Sequence, residues 1–187
     1  MTLYTALHPR SQLRARLVLA TLCACGLAAL AWASFVPPDI RVVYNASDSV
    51  PLGWYRVDPP GLRTDPTQDG RIVLIRLPGV VAAFAEQRGY LPMHIPLLKR
   101  VGAVTPQEVC VVDRIVRIDG VPVAAVLRTD QLGRPLRAWS GCRRLRPGEL
   151  FLLSTTNQAS FDSRYFGPVG ASAVLGVAYP LWLEASQ

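Results

Sequence analysis

The stretch VCVVDRIVRIDGVPVAAVL, residues 109–127, indicates the fold class of this chain. Apolar and polar residues alternate along it, as is typical of strands that bury one face. Within it, Asp119-Gly120 is the kind of dipeptide that favours a two-residue turn between antiparallel strands. The segment therefore predicts a β-hairpin.

Further strands are predicted on both sides of this hairpin. They are DGRIVLIRLP (69–78), IPLLKRVGAV (95–104), ELFLLS (149–154) and SAVLGVAYPLWL (172–183). Residues 78–90 are the best helix candidate, because Pro78 suits a first helical turn and Gly89 can end the helix. The pattern predicts a mostly β, antiparallel domain, and 187 residues suffice for one such domain with a small insertion.

An uncharged stretch, residues 17–36, precedes this domain. It matches the roughly 20 residues that a helix needs to cross a bilayer. Arg10, Arg14 and Arg16 come before it, and the positive-inside rule then keeps residues 1–16 in the cytoplasm. We expect a single-pass protein of a bacterial inner membrane, with residues 37–187 in the periplasm.

Two other interpretations of the N-terminal stretch remain open. The sequence AWA at residues 31–33 has the form of a signal-peptide cleavage site. The sequence LCAC resembles a lipobox, which would lipidate Cys25. All three interpretations export the remainder of the chain.

The four cysteines fall into two groups. Cys23 and Cys25 lie in the apolar stretch, where we expect them only to fill space. Cys110 and Cys142 lie in the exported part, where an oxidising compartment favours a disulfide over two separate buried thiols. No CxxC, CxxCH or His/Cys cluster is present, so we expect no metal and no other cofactor.

The net charge of +7 comes almost entirely from scattered arginines. They form no dense basic run with interleaved aromatic residues, so we expect no nucleic-acid partner. Anionic lipid of the inner membrane is the simpler partner for this charge.

A Ser/His/Asp hydrolase is poorly supported by this sequence. His8 lies on the cytoplasmic side of the predicted span, and His94, in PMHIP, is expected to pack in a loop. There is no GxSxG motif.

The only lysine of the chain, Lys99, offers a different base. Burial can lower the pKa of a lysine by several units, and a neutral lysine can activate a serine hydroxyl. The apolar residues 95–98 precede Lys99 and could shield it from water. The alternative is an ordinary surface lysine beside Arg100.

The candidate partner is in NASDSVPLGWY, residues 45–55. Ser47 and Ser49 stand there just before Val50-Pro51. Taken alone, serines in a proline-bounded loop are typical turn residues.

Together, SDSVPLGWY, LLKRVGAV and SFDSRYFGPV resemble the signal peptidases of the Ser/Lys S26 type, and they occur in the same order. The segment SDSVPLGWY, with Val-Pro directly after Ser49, most resembles the corresponding segment in the conjugative-transfer (TraF-type) branch of this family. The most specific segment is FDSRYFGPV, and the resemblance extends from the apolar stretch to about Trp182.

The resemblance implies a role for each matching residue. Ser49 would be the nucleophile and Lys99 the general base. The supporting residues would be Ser47 for the oxyanion, Ser160 to orient the lysine, Asp162 at the acidic position linked to activity, and Arg164 to hold that loop by pairing with an acidic neighbour.

The chain also departs from the housekeeping signal peptidases. Val50 stands where they usually have methionine, and VTPQE (104–108) replaces their Pro-Gly-Asp. The insertion at about 105–147 is short, so any cap subdomain should be small. These departures favour a dedicated substrate over general secretion.

We therefore expect a membrane-anchored serine endopeptidase that processes an exported pilin-like precursor, most similar in role to the enzymes that mature conjugative pilins. Hydrolysis and cyclisation of the product are both open. The alternatives are a general type I signal peptidase, a repressor-type self-cleaving peptidase, and a non-catalytic membrane-anchored component of a conjugation or secretion apparatus.

Overall fold

The computed structural model describes residues 9–35, 41–61, 65–154 and 156–184. His8 and Val36, the last residue of the predicted span, lie outside the described residues. Contacts divide the chain into two units, Met1–Asp39 and Ile40–Gln187.

The described residues of the first unit, 9–35, form helix α1 (Pro9–Phe35). Its segment Gln12–Trp32 is long and apolar enough to cross a membrane, with a mean hydropathy of 1.8. A signal sequence meets the same criteria, so length and composition leave the retained and the cleaved forms open. Cys23 and Cys25 are free, exposed thiols on this helix.

In the described residues of the second unit, two antiparallel sheets form. The elements along the chain are β1 (Arg41–Asn45), β2 (Gly53–Asp58), β3 (Ile72–Ile75), α2 (Gly79–Gln87), β4 (Leu97–Val104), β5 (Glu108–Val112), β6 (Ile115–Ile118), β7 (Val121–Ala125), β8 (Cys142–Arg144), β9 (Glu149–Leu152), α3 (Ser163–Phe166), β10 (Val169–Gly170), a 3-10 turn (Ala171–Ala173) and β11 (Val174–Leu183). The large sheet has the order β1-β2-β11-β3-β4-β9-β10, and the small sheet β7-β6-β5-β8. The predicted mostly β, antiparallel fold is confirmed.

The small sheet lies within the predicted insertion. Its hairpin β6–β7 turns at Asp119-Gly120, where both residues have positive φ, as the sequence predicts. A second turn at Asp113-Arg114, also with positive φ at both residues, separates β5 from β6 and was not predicted, because it contains no glycine.

The two sheets share one apolar cluster. Val109 and Val116 of the small sheet pack with Ala103 of β4 and Phe151 of β9. This contact fixes the insertion against the two strands that lead into the candidate site.

Cys110 and Cys142 lie opposite each other on β5 and β8 and form a disulfide. The expected bridge is therefore present, and the alternative of two separate thiols is wrong. The disulfide closes a loop over residues 110–142, which is most of the insertion at about 105–147.

Elsewhere the local predictions hold with two corrections. Helix α2 begins after Pro78 and is followed by Gly89 with a φ of 70°. His94 is exposed, not packed, because the turn before β4 carries it outward. The segment between the predicted strands 149–154 and 172–183, for which no helix or strand was predicted, contains the single turn of helix α3.

Candidate active site

Strand β4 and the loop between β1 and β2 bring Lys99 and Ser49 together. Lys99 Nζ donates a hydrogen bond of 2.7 Å to Ser49 Oγ, across 50 positions of sequence. It also donates to Ser160 Oγ. Ser160 Oγ lies 3.3 Å from Ser49 Oγ, so the amine and the two hydroxyls form one cluster.

Lys99 is buried because β4 is an interior strand between β3 and β9, and only 4% of the residue is exposed. The sequence explanation for this burial needs correction. Leu98 points to the opposite face of the strand from Lys99, and Ile95 is 42% exposed. The shielding therefore comes from the position within the sheet, from the Ser160 segment and, of the preceding apolar run, from Leu97, which lies on the same face of the strand and lines the same cavity as Lys99.

This burial changes the acid–base behaviour of the amine. Desolvation lowers the pKa of Lys99 from 10.5 to about 8, while the charge of Asp162 raises it and that of Arg164 lowers it by smaller amounts. At pH 7.5 about a quarter of such an amine is neutral. Lys99 can therefore act as a base near neutral pH.

Ser47 lies beside the pair but is engaged elsewhere. Its Oγ donates to Asn45 Oδ1 at 2.9 Å and is 3.4 Å from Ser49 Oγ. The residue is exposed, so its hydroxyl can exchange the bond to Asn45 for one to a bound substrate.

Asn45, which the sequence analysis did not single out, organises the loop that carries Ser49. Its Nδ2 donates to the carbonyls of Ser47, Val50 and Pro51 at 2.7, 2.9 and 3.1 Å. One amide thus holds the backbone on both sides of Ser49. The residue is 6% exposed. The sequence signal that could have found it is its position on β1, two residues after Val43 and on the same inward side of the strand.

Two hydroxyls from the segment after β9 hold two more carbonyls of this loop. Ser154 Oγ donates to the Ser49 carbonyl at 2.9 Å, and Thr156 Oγ1 donates to the Asp48 carbonyl at 2.7 Å. The five carbonyls from residue 47 to residue 51 therefore all accept side-chain hydrogen bonds.

Asp162 and Arg164 form a buried ion pair beneath this cluster. Arg164 Nε and Nη2 donate to the two carboxylate oxygens of Asp162, each at 2.8 Å. Arg164 also donates to four backbone carbonyls, those of Ala125, Asn157, Gln158 and Ser160. The predicted pairing of Arg164 with an acidic neighbour is present in the structure.

Asp162 is connected to Ser49 through Ser154. Its Oδ2 accepts the Ser154 N–H at 3.0 Å, and Ser154 in turn holds the Ser49 carbonyl. Its influence on Lys99 is that of a nearby charge.

A cleft of about 490 Å³ opens beside Ser49 and Lys99. Much of its lining is apolar: Leu77, Ala85, Leu91, Leu97, Leu136 and Phe161. A cleft of this size and character can hold an extended peptide with small or apolar side chains.

The outer wall of the cleft joins α2 to the loop that precedes β8. Asp130 accepts hydrogen bonds from Tyr90 and Arg134 at 2.6 and 2.7 Å, and Arg88 is 3.5 Å away. Desolvation raises the pKa of Asp130, but the hydrogen bonds outweigh it and leave that pKa well below its usual range. Charged hydrogen bonds to Asp130 therefore hold the two segments of this wall together.

Metal-ligating side chains come together elsewhere in the described part of the chain, at Glu108, Cys110 and Cys142. Both sulfur atoms belong to the disulfide, so they are not available as thiolate ligands. This group lies apart from the residues that line the cleft.

Comparison with known proteins gives three results. The family model described as signal peptidase, peptidase S26, matches residues 14–182. The conjugal transfer protein TraF of Agrobacterium fabrum (strain C58) is 42% identical over 74% of this chain and 80% of that protein. The plasmid transfer protein TraF of Escherichia coli is 34% identical over 73% of this chain and 80% of that protein.

Among solved structures, a signal peptidase I from Enterococcus faecalis V583 matches with 21% identity and a TM-score of 0.37, covering 61% of this chain and 97% of that chain. The region matched by the family model includes both Ser49 and Lys99.

Proposed function

Because the chain belongs to the signal peptidase family, peptidase S26, we propose that it is a serine endopeptidase with Ser49 as nucleophile and Lys99 as general base. The observation that carries this proposal is the 2.7 Å contact between Lys99 Nζ and Ser49 Oγ. The pKa of Lys99, lowered to about 8 by burial, supports it.

In the proposed reaction, neutral Lys99 removes the proton of Ser49 Oγ as this oxygen attacks the scissile carbonyl. Ser160 holds the amine in place. The Ser49 N–H and the Ser47 hydroxyl stabilise the oxyanion, and Ser47 must turn away from Asn45 Oδ1 to do so.

Protonated Lys99 then gives its proton to the leaving amine, which leaves an acyl-enzyme on Ser49. Attack by water releases a linear product. Attack by an amine of the same substrate gives a cyclic one. Either attacking group can lose its proton to Lys99.

The substrate that we propose is an exported precursor, in particular a conjugative pilin propeptide. The names of the two TraF relatives support a role in conjugation, and the mostly apolar cleft suits an extended peptide. We further propose that α1 crosses the bacterial inner membrane with the N-terminus in the cytoplasm, so that the catalytic domain meets its substrate at the periplasmic surface.

The test is co-expression of the full chain with candidate pilin precursors, followed by mass spectrometry of the product termini. Ser49→Ala and Lys99→Arg should both abolish processing. Arg100→Lys, on the same strand, is the matched control and should process normally. Normal processing by Lys99→Arg would remove the general-base role, because arginine does not lose its proton.

A serine-reactive acylating probe separates the enzyme from a non-catalytic component of a conjugation apparatus. We expect the wild-type protein to be labelled at Ser49, and more rapidly as the pH rises through about 8. Absence of labelling at every pH would favour the non-catalytic alternative.

A further inference from the structure

We propose that Thr156 is a positioning residue for the oxyanion site, because its hydroxyl fixes the peptide plane that aims the Ser49 N–H. This inference rests on the proposed function. It concerns a residue outside the Ser49–Lys99–Ser160 cluster.

The geometry follows from one hydrogen bond. Thr156 Oγ1 donates to the Asp48 carbonyl at 2.7 Å. In a planar trans peptide, the carbonyl of one residue and the N–H of the next point in opposite directions. By holding the Asp48 carbonyl, Thr156 therefore turns the Ser49 N–H away from itself.

The Ser49 N–H is available for a ligand. Within the part of the chain that the structure describes, it has no hydrogen-bond acceptor, although Ser49 lines the cleft. An N–H that is pre-oriented and unpaired beside the attacking oxygen is what stabilisation of an oxyanion requires.

The other side chains that hold this loop act on different peptide planes. Asn45 bonds the carbonyl of Ser47, which sets the N–H of Asp48, and Ser154 bonds the carbonyl of Ser49, which sets the N–H of Val50. Thr156 bonds the carbonyl whose partner is the nucleophile's own N–H. It is also absent from the described lining of the cleft, although Asp48 and Asn157 on either side of it are part of that lining.

The fold holds the residues near Thr156 in the chain, Ser154 and Asn157. Thr156 Oγ1 lies 3.4 Å from Ser154 Oγ, and Ser154 Oγ accepts the N–H of Asn157 at 3.1 Å. Arg164 Nη2 donates to the carbonyl of Asn157. The orientation of the Ser49 N–H is thereby linked to the buried ion pair of Asp162 and Arg164.

The test compares Thr156→Val, which keeps the shape and removes the hydroxyl, with Thr156→Ser, which keeps the hydroxyl. With a precursor peptide as substrate, we expect the valine variant to lose about tenfold in kcat with KM nearly unchanged, less than the loss of a whole oxyanion donor. We expect the serine variant to retain wild-type kcat within about twofold.

A second readout separates positioning from a general structural role. A peptide boronate, which forms a tetrahedral adduct with a serine, should bind the valine variant about tenfold more weakly. An uncleaved peptide should bind Ser49→Ala and the Ser49→Ala, Thr156→Val double variant equally well. Equal boronate affinity for wild type and Thr156→Val, or a change in KM alone, would overturn the proposal.

A crystal structure of Thr156→Val decides the question even if the wild-type protein processes no peptide and the proposed function fails. A rotated Asp48–Ser49 peptide plane would support the positioning role. An unmoved plane would overturn it.

Discussion

The substitution Lys99→Met should remove the free-energy penalty of burying a charged amine, a penalty that depends on pH, and so raise the free energy of unfolding at neutral pH. Lys99 is 4% exposed, and burial lowers its pKa to about 8, against 10.5 for an unperturbed lysine. Methionine has a similar length and no charge, so it fills the same space without an amine that must be desolvated.

The sign follows from which state binds the proton. Below pH 8 both folded and unfolded chains carry the charged amine, and the folded state bears the full cost of its burial. Between pH 8 and 10.5 the unfolded chain keeps the proton that the folded chain has lost, so stability rises with pH. Above 10.5 the cost is gone. A shift of this size corresponds to about 3 kcal/mol in total.

The measurement is urea unfolding of both proteins, with the disulfide intact, between pH 6.5 and pH 10. The free energy of unfolding of Lys99→Met, minus that of the wild type, should fall by between about 2 and 3 kcal/mol over this range. Other titrating groups are common to both proteins and cancel in the difference. Arg100→Gln is the matched control, because it leaves the titrating amine in place. Its difference should change by less than about 1 kcal/mol, a change that comes from the effect of the Arg100 charge on the pKa of Tyr55 near pH 10.

A difference that does not change with pH for Lys99→Met would refute the reasoning. It would mean that the amine titrates at an ordinary pKa in the folded protein. A lysine that is charged throughout the neutral range could not serve as the base for Ser49, so the mechanistic proposal would lose its physical ground as well.

Two further predictions concern the support of this pair. Ser160→Ala should lower kcat by at least about tenfold while leaving KM within about twofold, because Lys99 loses one of its two hydroxyl partners; an unchanged kcat in peptide-cleavage assays would contradict a role in orienting the amine. Arg164→Lys should destabilise the fold by about 3 kcal/mol or more in urea unfolding, since lysine cannot reproduce the paired bonds to Asp162. Arg143→Lys, at a partly exposed pair with Glu149, is the control and should cost less than about 1 kcal/mol; equal losses in the two variants would contradict the argument from burial.

Local sequence signals were sufficient for most strands of the fold. Alternating apolar residues and the Asp119-Gly120 turn predict the hairpin β6–β7, and Pro78 and Gly89 mark the ends of α2. The turn at Asp113-Arg114 was missed because arginine, unlike the glycine of Asp119-Gly120, has no preference for positive φ, and the pairing of β5 with β6 imposes that conformation on Arg114. Tertiary contacts decided that local conformation.

The site, too, contains residues that the sequence analysis predicted and residues that it missed. Lys99 was a candidate as the only lysine, but its pairing with Ser49 and the role of Ser160 came from the resemblance to a family, since no local pattern states that residues 50 and 61 positions apart are in contact. Ser154 and Thr156 were missed because serine and threonine in a polar loop are typical of turns. Their functional importance lies in which carbonyl each one reaches, and that depends on how β9 packs beside the β1–β2 loop.

The buried ion pair explains how a carboxylate can lie near Lys99 without returning the pKa of the amine to its usual value. Alone, the negative charge of Asp162 would favour the ammonium form and raise the pKa of Lys99. Both carboxylate oxygens are instead bonded to Arg164, whose positive charge acts on Lys99 in the opposite direction. The two influences oppose each other, so desolvation sets the pKa at about 8. Arg164 thus allows Asp162 to order the backbone around Ser49 while the nearby amine remains able to accept a proton.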